Sequence, residues 1–415
     1  MSEKLSFIHS ADLHLDSPFK GLSHVTDHIF KDIRDSTFSA MDKLVDLAIE
    51  KNVDFLLIVG DLFDSDQQSV KAQTRLIKAF EKLKSNNIEV YISFGNHDYM
   101  NGRLFDYQYP TNVHVFDSEE VSHYIFEKNG VPLVTIYGFS YQERAVIENK
   151  TDEFQTVSDT PYHIGMLHGS LASNTEHDVY APFQINELVS KDFSYWALGH
   201  IHKRQILKEN PPIIYPGNIQ GRSKKEQGEK GCYFVELDND YISKVFHPLQ
   251  DIRFEQLVLD VDGCETIQDL EVYLEKEVVK ARETYGKCIL FVQLTSSTAQ
   301  IVDWYQQGYV EEVVEFVNEL NENGTNWAVM EDIKLVRNTR WNRDQLDEGG
   351  HFLGELVRTF NKPALTEDLS ALFLHRKARK YIDYLTEEEM EEIHKEAEEL
   401  LLHQLLEETA KFPKA

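Results

Sequence analysis

Val53-Asp54-Phe55-Leu56-Leu57-Ile58-Val59-Gly60-Asp61-Leu62-Phe63-Asp64 is the stretch on which the fold turns. Residues 53–59 are too uniformly apolar for a strand with one wet face, so they predict a strand buried on both sides. Gly60 and Asp61 supply the turn chemistry that ends it. Working outward, residues 36–52 predict a helix, with Phe38, Met41, Leu44, Val45, Ala48 and Ile49 along one face. Leu5–His9 predicts a strand, 70–83 a second helix and 89–94 another strand. Shorter apolar runs at 133–139, 163–167, 195–198, 213–215 and 232–237 predict more strands, giving an α/β core that ends near residue 250. The polar stretch 143–159 predicts a surface loop.

Beyond residue 250 the texture changes. A β-α-β-α-β succession over 251–338 predicts a small α+β capping domain, and 339–415 predicts a helical C-terminal region. In that region Thr386 and Glu389 form a capping-box pattern ahead of a stripe of Met390, Ile393, Ala397, Leu400, Leu401 and Leu405, broken by Gln404. Such a stripe packs within its own domain or docks a partner's helices.

The 415 residues carry 42 Lys plus Arg against 71 Asp plus Glu, a formal charge of −29, so any role with nucleic acid has to be local. Hydrophobic residues make up 41%, enough for folded domains rather than wholesale disorder. Cys232, Cys264 and Cys288 form no C-x-x-C pair, which argues against a disulfide framework and a cysteine zinc cluster. The first residues lack the apolar core of a signal peptide, and no run is long enough to span a bilayer, so a cytoplasmic protein with no membrane attachment is expected.

Five short motifs carry the chemistry: Asp12-Leu13-His14, Gly60-Asp61-Leu62-Phe63-Asp64, Gly95-Asn96-His97-Asp98, His168-Gly169 and Gly199-His200-Ile201-His202. Each follows a predicted strand, and in open α/β sheets the ends of strands are where ligands sit. A lone D-x-H or H-G means little; the five in order, each behind an apolar strand, point to one site. Carboxylates, imidazoles and an amide oxygen without thiolates suit borderline divalent ions such as manganese, iron or zinc. Seven donors are too many for one such ion and suit two. The simplest arrangement has Asp61 bridging, with Asp12, His14 and His202 on one ion and Asn96, His168 and His200 on the other. Two ions about 3.5 to 4 Å apart are the geometry for in-line displacement at phosphorus, so the expected reaction is phosphoester hydrolysis. His97, one residue past Asn96, is placed to face substrate as an acid, with Asp64 or Asp98 to fix its tautomer and Asp64 the favoured choice.

This motif set resembles that of the calcineurin-like metallophosphoesterases, and its spacing is similar to the SbcD-type DNA repair nucleases. The opening HSADLHLDSPFKGL and the stretches ALGHIHKRQIL and IYPGNIQGR look most like the YhaO group among them. The resemblance covers about residues 5–250. It implies a four-layer β-sandwich core flanked by helices, two manganese-type ions on Asp12, His14, Asp61, Asn96, His168, His200 and His202, and a catalytic His97. It also implies DNA as substrate and a coiled-coil ABC-type ATPase of the SbcC kind as partner, with a homodimer admitted. One departure is that some nucleases of the wider family carry a second histidine where this chain has Asp64.

Substrate is less defined. Lys203, Arg204, Arg222, Lys224 and Lys225, with Lys230, form either a local basic rim for phosphates or a solvated charged loop, interrupted by Glu226 and Glu229. Phe19, Tyr99 and Tyr107 are stacking candidates for unpaired bases or ordinary core and loop residues. The leading expectation is a two-metal DNA exonuclease or endonuclease subunit. Its rivals are a phosphoesterase of small molecules, nucleotides or phosphoproteins, and a non-catalytic scaffold for the ATPase.

Overall fold

In the computed structural model the described residues are 4–19, 25–64, 69–102, 108–173, 179–238, 241–337, 343–347 and 352–361, with 393–395, 397, 398, 401, 402 and 405. The chain opens with β1 (Leu5–Ala11), α1 (Asp27–Glu50), β2 (Phe55–Val59), α2 (Val70–Lys84), β3 (Glu89–Ser93) and β4 (Val113–Val115). There follow β5 (Ser122–Lys128), β6 (Val131–Gly138), β7 (Tyr162–His168), α3 (Ile185–Ser190), β8 (Tyr195–Gly199), β9 (Gln205–Glu209) and β10 (Pro212–Tyr215). Next come β11 (Gly231–Asp238), β12 (Tyr241–Pro248), β13 (Arg253–Asp260), α4 (Ile267–Tyr285), β14 (Cys288–Ser296) and α5 (Ala299–Gln306). The last are α6 (Tyr309–Asn321), β15 (Ala328–Arg337), α7 (Arg343–Asp347) and α8 (Phe352–Phe360).

Two six-stranded mixed sheets form the core, in the orders β12-β11-β1-β2-β3-β4 and β5-β6-β7-β8-β10-β9, with a three-stranded sheet β13-β14-β15 besides. Period-two alternation explains the layering. Along β2, Leu56 and Ile58 face a core with Met41, Leu44, Leu76 and Phe80 of α1 and α2. Phe55, Leu57 and Val59 face the opposite way, against Ile136, Ile164, Met166 and Ala197 of the second sheet. The outer face of that sheet buries Leu198 and Trp196 with Leu188 of α3 and Phe154. The result is helix, sheet, sheet, helix: the four-layer α/β sandwich expected.

Several local expectations change. α1 begins nine residues earlier than its apolar pattern indicated, because Ile29 and Ile33 join a core with Trp327, Val329, Ile252 and Phe254, while charged neighbours mask the periodicity. Stretch 143–159 is no simple surface loop: Val146 and Phe154 are buried in the core against Trp196. Phe19 is also core, 4% exposed, which removes it as a stacking partner for bases. Tyr99 packs half-buried against a core cluster, and Tyr107 lies outside the described residues, as do Thr386, Glu389, Met390 and Leu400, whereas Ile393, Ala397 and Leu401 of the stripe are exposed and Leu405 is half-buried.

By internal packing the chain divides into two compact units. One holds Met1–Val258, Glu265–Gln293 and Gly308–Lys334, and the other Leu259–Cys264, Leu294–Gln307 and Leu335–Ala415. None of the three cysteines is in a disulfide. No described helix is long and apolar enough to cross a membrane.

Candidate metal centre

β1, β2, β3, β7 and β8 all deliver their C-terminal ends to one place. The chain leaves β1 and β2 by tight steps, with Asp12, His14 and Asp61 at positive φ and His200 likewise after β8. For residues that carry a Cβ these backbone conformations are uncommon and are held by their surroundings. The loops brace one another: Asp12 N–H donates to Gly60 O, His14 N–H to Asp61 O and Gly60 N–H to Ser93 O. Asp98 latches two of them, its carboxylate accepting from Leu62 N–H at 2.7 Å and Gly95 N–H at 2.8 Å. Gly60 and Gly95 admit the site's side chains. A Cβ at Gly60 would lie 1.9 Å from the His168 ring, and one at Gly95 would lie 2.3 Å from Asp61 Oδ1.

All seven residues singled out as ligands converge here. Asp12, His14, Asp61 and His202 bring donor atoms within 4.8 Å of one another. On the other side Asn96 Oδ1 lies 3.1 Å from His168 Nε2 and 3.2 Å from His200 Nδ1. Asp61 Oδ2 stands between the two groups, 3.8 Å from His14 Nε2 and 3.6 Å from His168 Nε2.

The tautomers show what the cluster is built for. His168 Nδ1–H donates to Val59 O, so its Nε2 lone pair points at the Asn96 oxygen: acceptor faces acceptor. His202 Nδ1–H donates to Glu226 Oε1 at 2.7 Å, which turns its Nε2 lone pair toward His14 Nε2, 3.0 Å away. Asp61 Oδ2 and His14 Nδ1 are buried with no hydrogen-bond partner. Facing acceptors at His168 and Asn96, and a buried Asp61 Oδ2 without a hydrogen-bond partner, are costly unless a cation lies among them, so the residues fit a divalent-metal centre.

Electrostatics agree. Burial, then the neighbouring Asp61 charge, pushes the Asp12 carboxyl well above its usual range. For Asp61, burial pushes upward but the imidazoles of His168 and His97 outweigh it and hold the carboxyl low. Burial lowers His14, His168 and His202, keeping them neutral as ligation requires.

With the geometry in view, comparison with known proteins is direct. The family model for calcineurin-like phosphoesterases matches residues 5–204. The uncharacterized metallophosphoesterase YhaO of Bacillus subtilis is 38% identical over 408 residues, 98% of this chain and 99% of that one. This chain is a calcineurin-like metallophosphoesterase. Among other relatives, the DNA double-strand break repair protein Mre11 of Methanocaldococcus jannaschii is 30% identical over 252 residues, 57% of this chain and 63% of that one. Mre11 of Sulfolobus acidocaldarius is 25% identical over 284 residues, 66% of this chain and 70% of that one. A dimetal phosphatase from Danio rerio aligns with a TM-score of 0.37 at 12% identity, over 59% of this chain and 96% of its own.

In this metallophosphoesterase His97 is half-exposed at the mouth, its ring edge-on to His14 with centroids 4.9 Å apart. What holds it differs from the expectation. His97 Nδ1 bonds the main-chain carbonyl of Asp64 at 2.8 Å, while the Asp64 carboxylate pairs with Arg222 and approaches His14 Nδ1 at 3.4 Å. Asp64 therefore orients His97 through its backbone, because Arg222 claims its side chain. The proposed basic rim is largely paired with acids: Arg204 stacks over Phe246 and meets Glu229 at 3.5 Å, and Lys224 meets Asp332 at 2.9 Å. Lys203 and Lys225 are exposed. Arg222 alone of the five is shown beside the centre, between Asp64 and Glu226.

Sequence reasoning missed Glu226 as a site residue. Its carboxylate collects His202 Nδ1–H, Arg222 N–H and Asn218 Nδ2–H, and the first of these together with Arg222 holds its pKa far below normal against the upward push of burial. Lys230, nearly buried, donates from Nζ to His202 O at 2.9 Å, and burial lowers its pKa to about 8.

Proposed function

We propose that the protein is a metal-dependent phosphodiesterase acting on DNA, a nuclease subunit that works with a coiled-coil ATPase. The observation that carries the phosphodiesterase reading is Asp61 Oδ2, without a hydrogen-bond partner and standing between the two groups of donor atoms, 3.8 Å from His14 Nε2 and 3.6 Å from His168 Nε2. In this reading Asp12, His14 and His202 hold one divalent ion and Asn96, His168 and His200 a second, with Asp61 shared and Mn2+ the expected metal. Such a pair supplies Lewis acidity and charge compensation for both oxygens of an in-line displacement at phosphorus. The chain's own part is positional. Glu226 and Val59 O fix the tautomers that aim His202 and His168 inward. The Asp64 carbonyl holds His97 Nδ1–H, so in the protonated imidazole Nε2–H is the one left to give its proton to the departing oxygen. Arg222, already beside the centre, is the cation best placed to meet a substrate phosphate.

The names of the Mre11 relatives support DNA as substrate and repair as the setting. Residues 251–338 as a cap and 339–415 as a partner-docking region complete the proposal. A second reading, hydrolysis of small phosphoesters, is favoured by the acid partners of Arg204, Lys224 and Arg222, which leave less charge to neutralise a DNA backbone. Incubation with Mn2+ and labelled double- and single-stranded DNA, alongside bis-p-nitrophenyl phosphate, separates the two. Metal-dependent DNA cleavage is expected; cleavage of the small ester alone would end the nuclease assignment.

A further inference from the structure

His9 is fully buried in the middle of β1, three residues before Asp12, and takes no part in the chemistry described above. Its ring crosses from the first sheet to the second. Nε2 lies 3.1 Å from Leu198 O on β8, and Nδ1 lies 3.0 Å from the Tyr195 hydroxyl on the same strand. Leu198 O can only accept, so Nε2 carries the proton and Nδ1 accepts from Tyr195 O–H. One imidazole thus makes two directional bonds to β8, two and five residues before His200. A second link runs between the same strands at the site itself, where His200 N–H donates to the Asp12 carboxylate at 3.0 and 3.1 Å.

This juxtaposition matters because the centre is assembled from both sheets. Asp12, His14, Asp61 and Asn96 follow strands of the first; His168 ends β7 of the second, and His200 and His202 follow its β8. Between the sheets lie mainly apolar side chains such as Phe7, Phe55, Ile164 and Tyr195. Apolar packing is non-directional and tolerates small slips, whereas metal donors must be placed within about 0.2 Å. A phenylalanine or leucine would fill the same space, yet the chain spends a buried polar group there.

We propose that His9 is a positioning residue whose paired bonds to Tyr195 and Leu198 set the offset of β8 against β1 and thereby hold the two halves of the donor cluster in register. The proposal rests on the metal-centre reading of the cluster. Its test compares wild type with His9→Leu, His9→Gln and Tyr195→Phe in the full chain. The readouts are Mn2+ stoichiometry and affinity by calorimetry, kcat and KM separately on bis-p-nitrophenyl phosphate, and the melting temperature of metal-free protein. His9→Leu is expected to weaken Mn2+ binding and to lower kcat about 10- to 100-fold with little change in KM, since misplacement of about 1 Å carries losses of that order. His9→Gln, which keeps one donor and one acceptor, recovers part of this. Tyr195→Phe keeps the ring and loses only the hydroxyl, so it gives a smaller fall in the same direction even where His9→Leu folds poorly. Lower melting temperatures with unchanged Mn2+ affinity and kcat would make His9 an ordinary core residue and overturn the proposal. Wild type that neither binds Mn2+ nor cleaves the ester would instead sink the metal-centre reading.

Discussion

His97 and Glu226 touch the centre differently, and their substitutions separate chemistry from assembly. His97→Ala removes a ring at the mouth and none of the converging lone pairs, so turnover is expected to fall at least about 100-fold with metal content retained. Loss of metal along with activity would make His97 a ligand. Glu226→Gln takes away the carboxylate that orients His202, and Mn2+ affinity is expected to fall about 10- to 100-fold; unchanged affinity in a calorimetric titration would remove Glu226 from the account. The difference between these residues also marks what a sequence can reveal. Asn96 and His97 are legible because they sit in a motif at a strand exit. Glu226 reads as one acid interrupting a basic loop, and its value comes only from a chain path that returns to His202 across 24 positions. Asp64 shows the same limit: the motif identifies the residue, but its side chain goes to Arg222 and its carbonyl to His97.

Among the elements, the inner strands were legible and the outer ones were not. β2 is buried along its whole length and announces itself; β4, β5, β9 and β12 are exposed or half-buried at most positions and present no sustained apolar run. The glycines inside elements are equally silent in sequence yet decide the packing. Gly165 in β7 lies under Trp196 of β8, where an added Cβ would come within 2.4 Å of the indole. Gly165→Ala is expected to cost about 1–3 kcal/mol in urea unfolding, since a fully buried indole has to move. A variant as stable as wild type would mean that the β7–β8 pair adapts more freely than its close contact indicates.

For the whole molecule, protonation and net charge set the conditions of use. His9, lowered by burial to about 3, and His14, His168 and His202, also lowered by burial, stay neutral in the folded metal-free chain while the unfolded chain takes up protons below about 6.5. The unfolded state then binds more protons, so stability is full above about pH 6.5 and falls as pH drops, by up to about 1.4 kcal/mol per unit for each residue. Asp12, raised by burial and Asp61, works oppositely, one group against four. Metal-free protein is therefore expected to melt lower at pH 5.5 than at 7.5, and a flat profile would contradict the buried neutral imidazoles. Mn2+ should raise the melting temperature more at the higher pH, because protons compete for the same lone pairs. The formal charge of −29 leaves DNA to be held by local cations alone, so cleavage of DNA should depend on added salt, while that of a small ester should not.

The central claim is that donors from five strand ends grip two cations around Asp61. Anomalous scattering at the manganese edge from crystals grown with Mn2+ tests it most directly. Two peaks about 3.5 to 4 Å apart, flanking the Asp61 carboxylate, are predicted. A single peak, or manganese bound away from Asp61, would contradict the account.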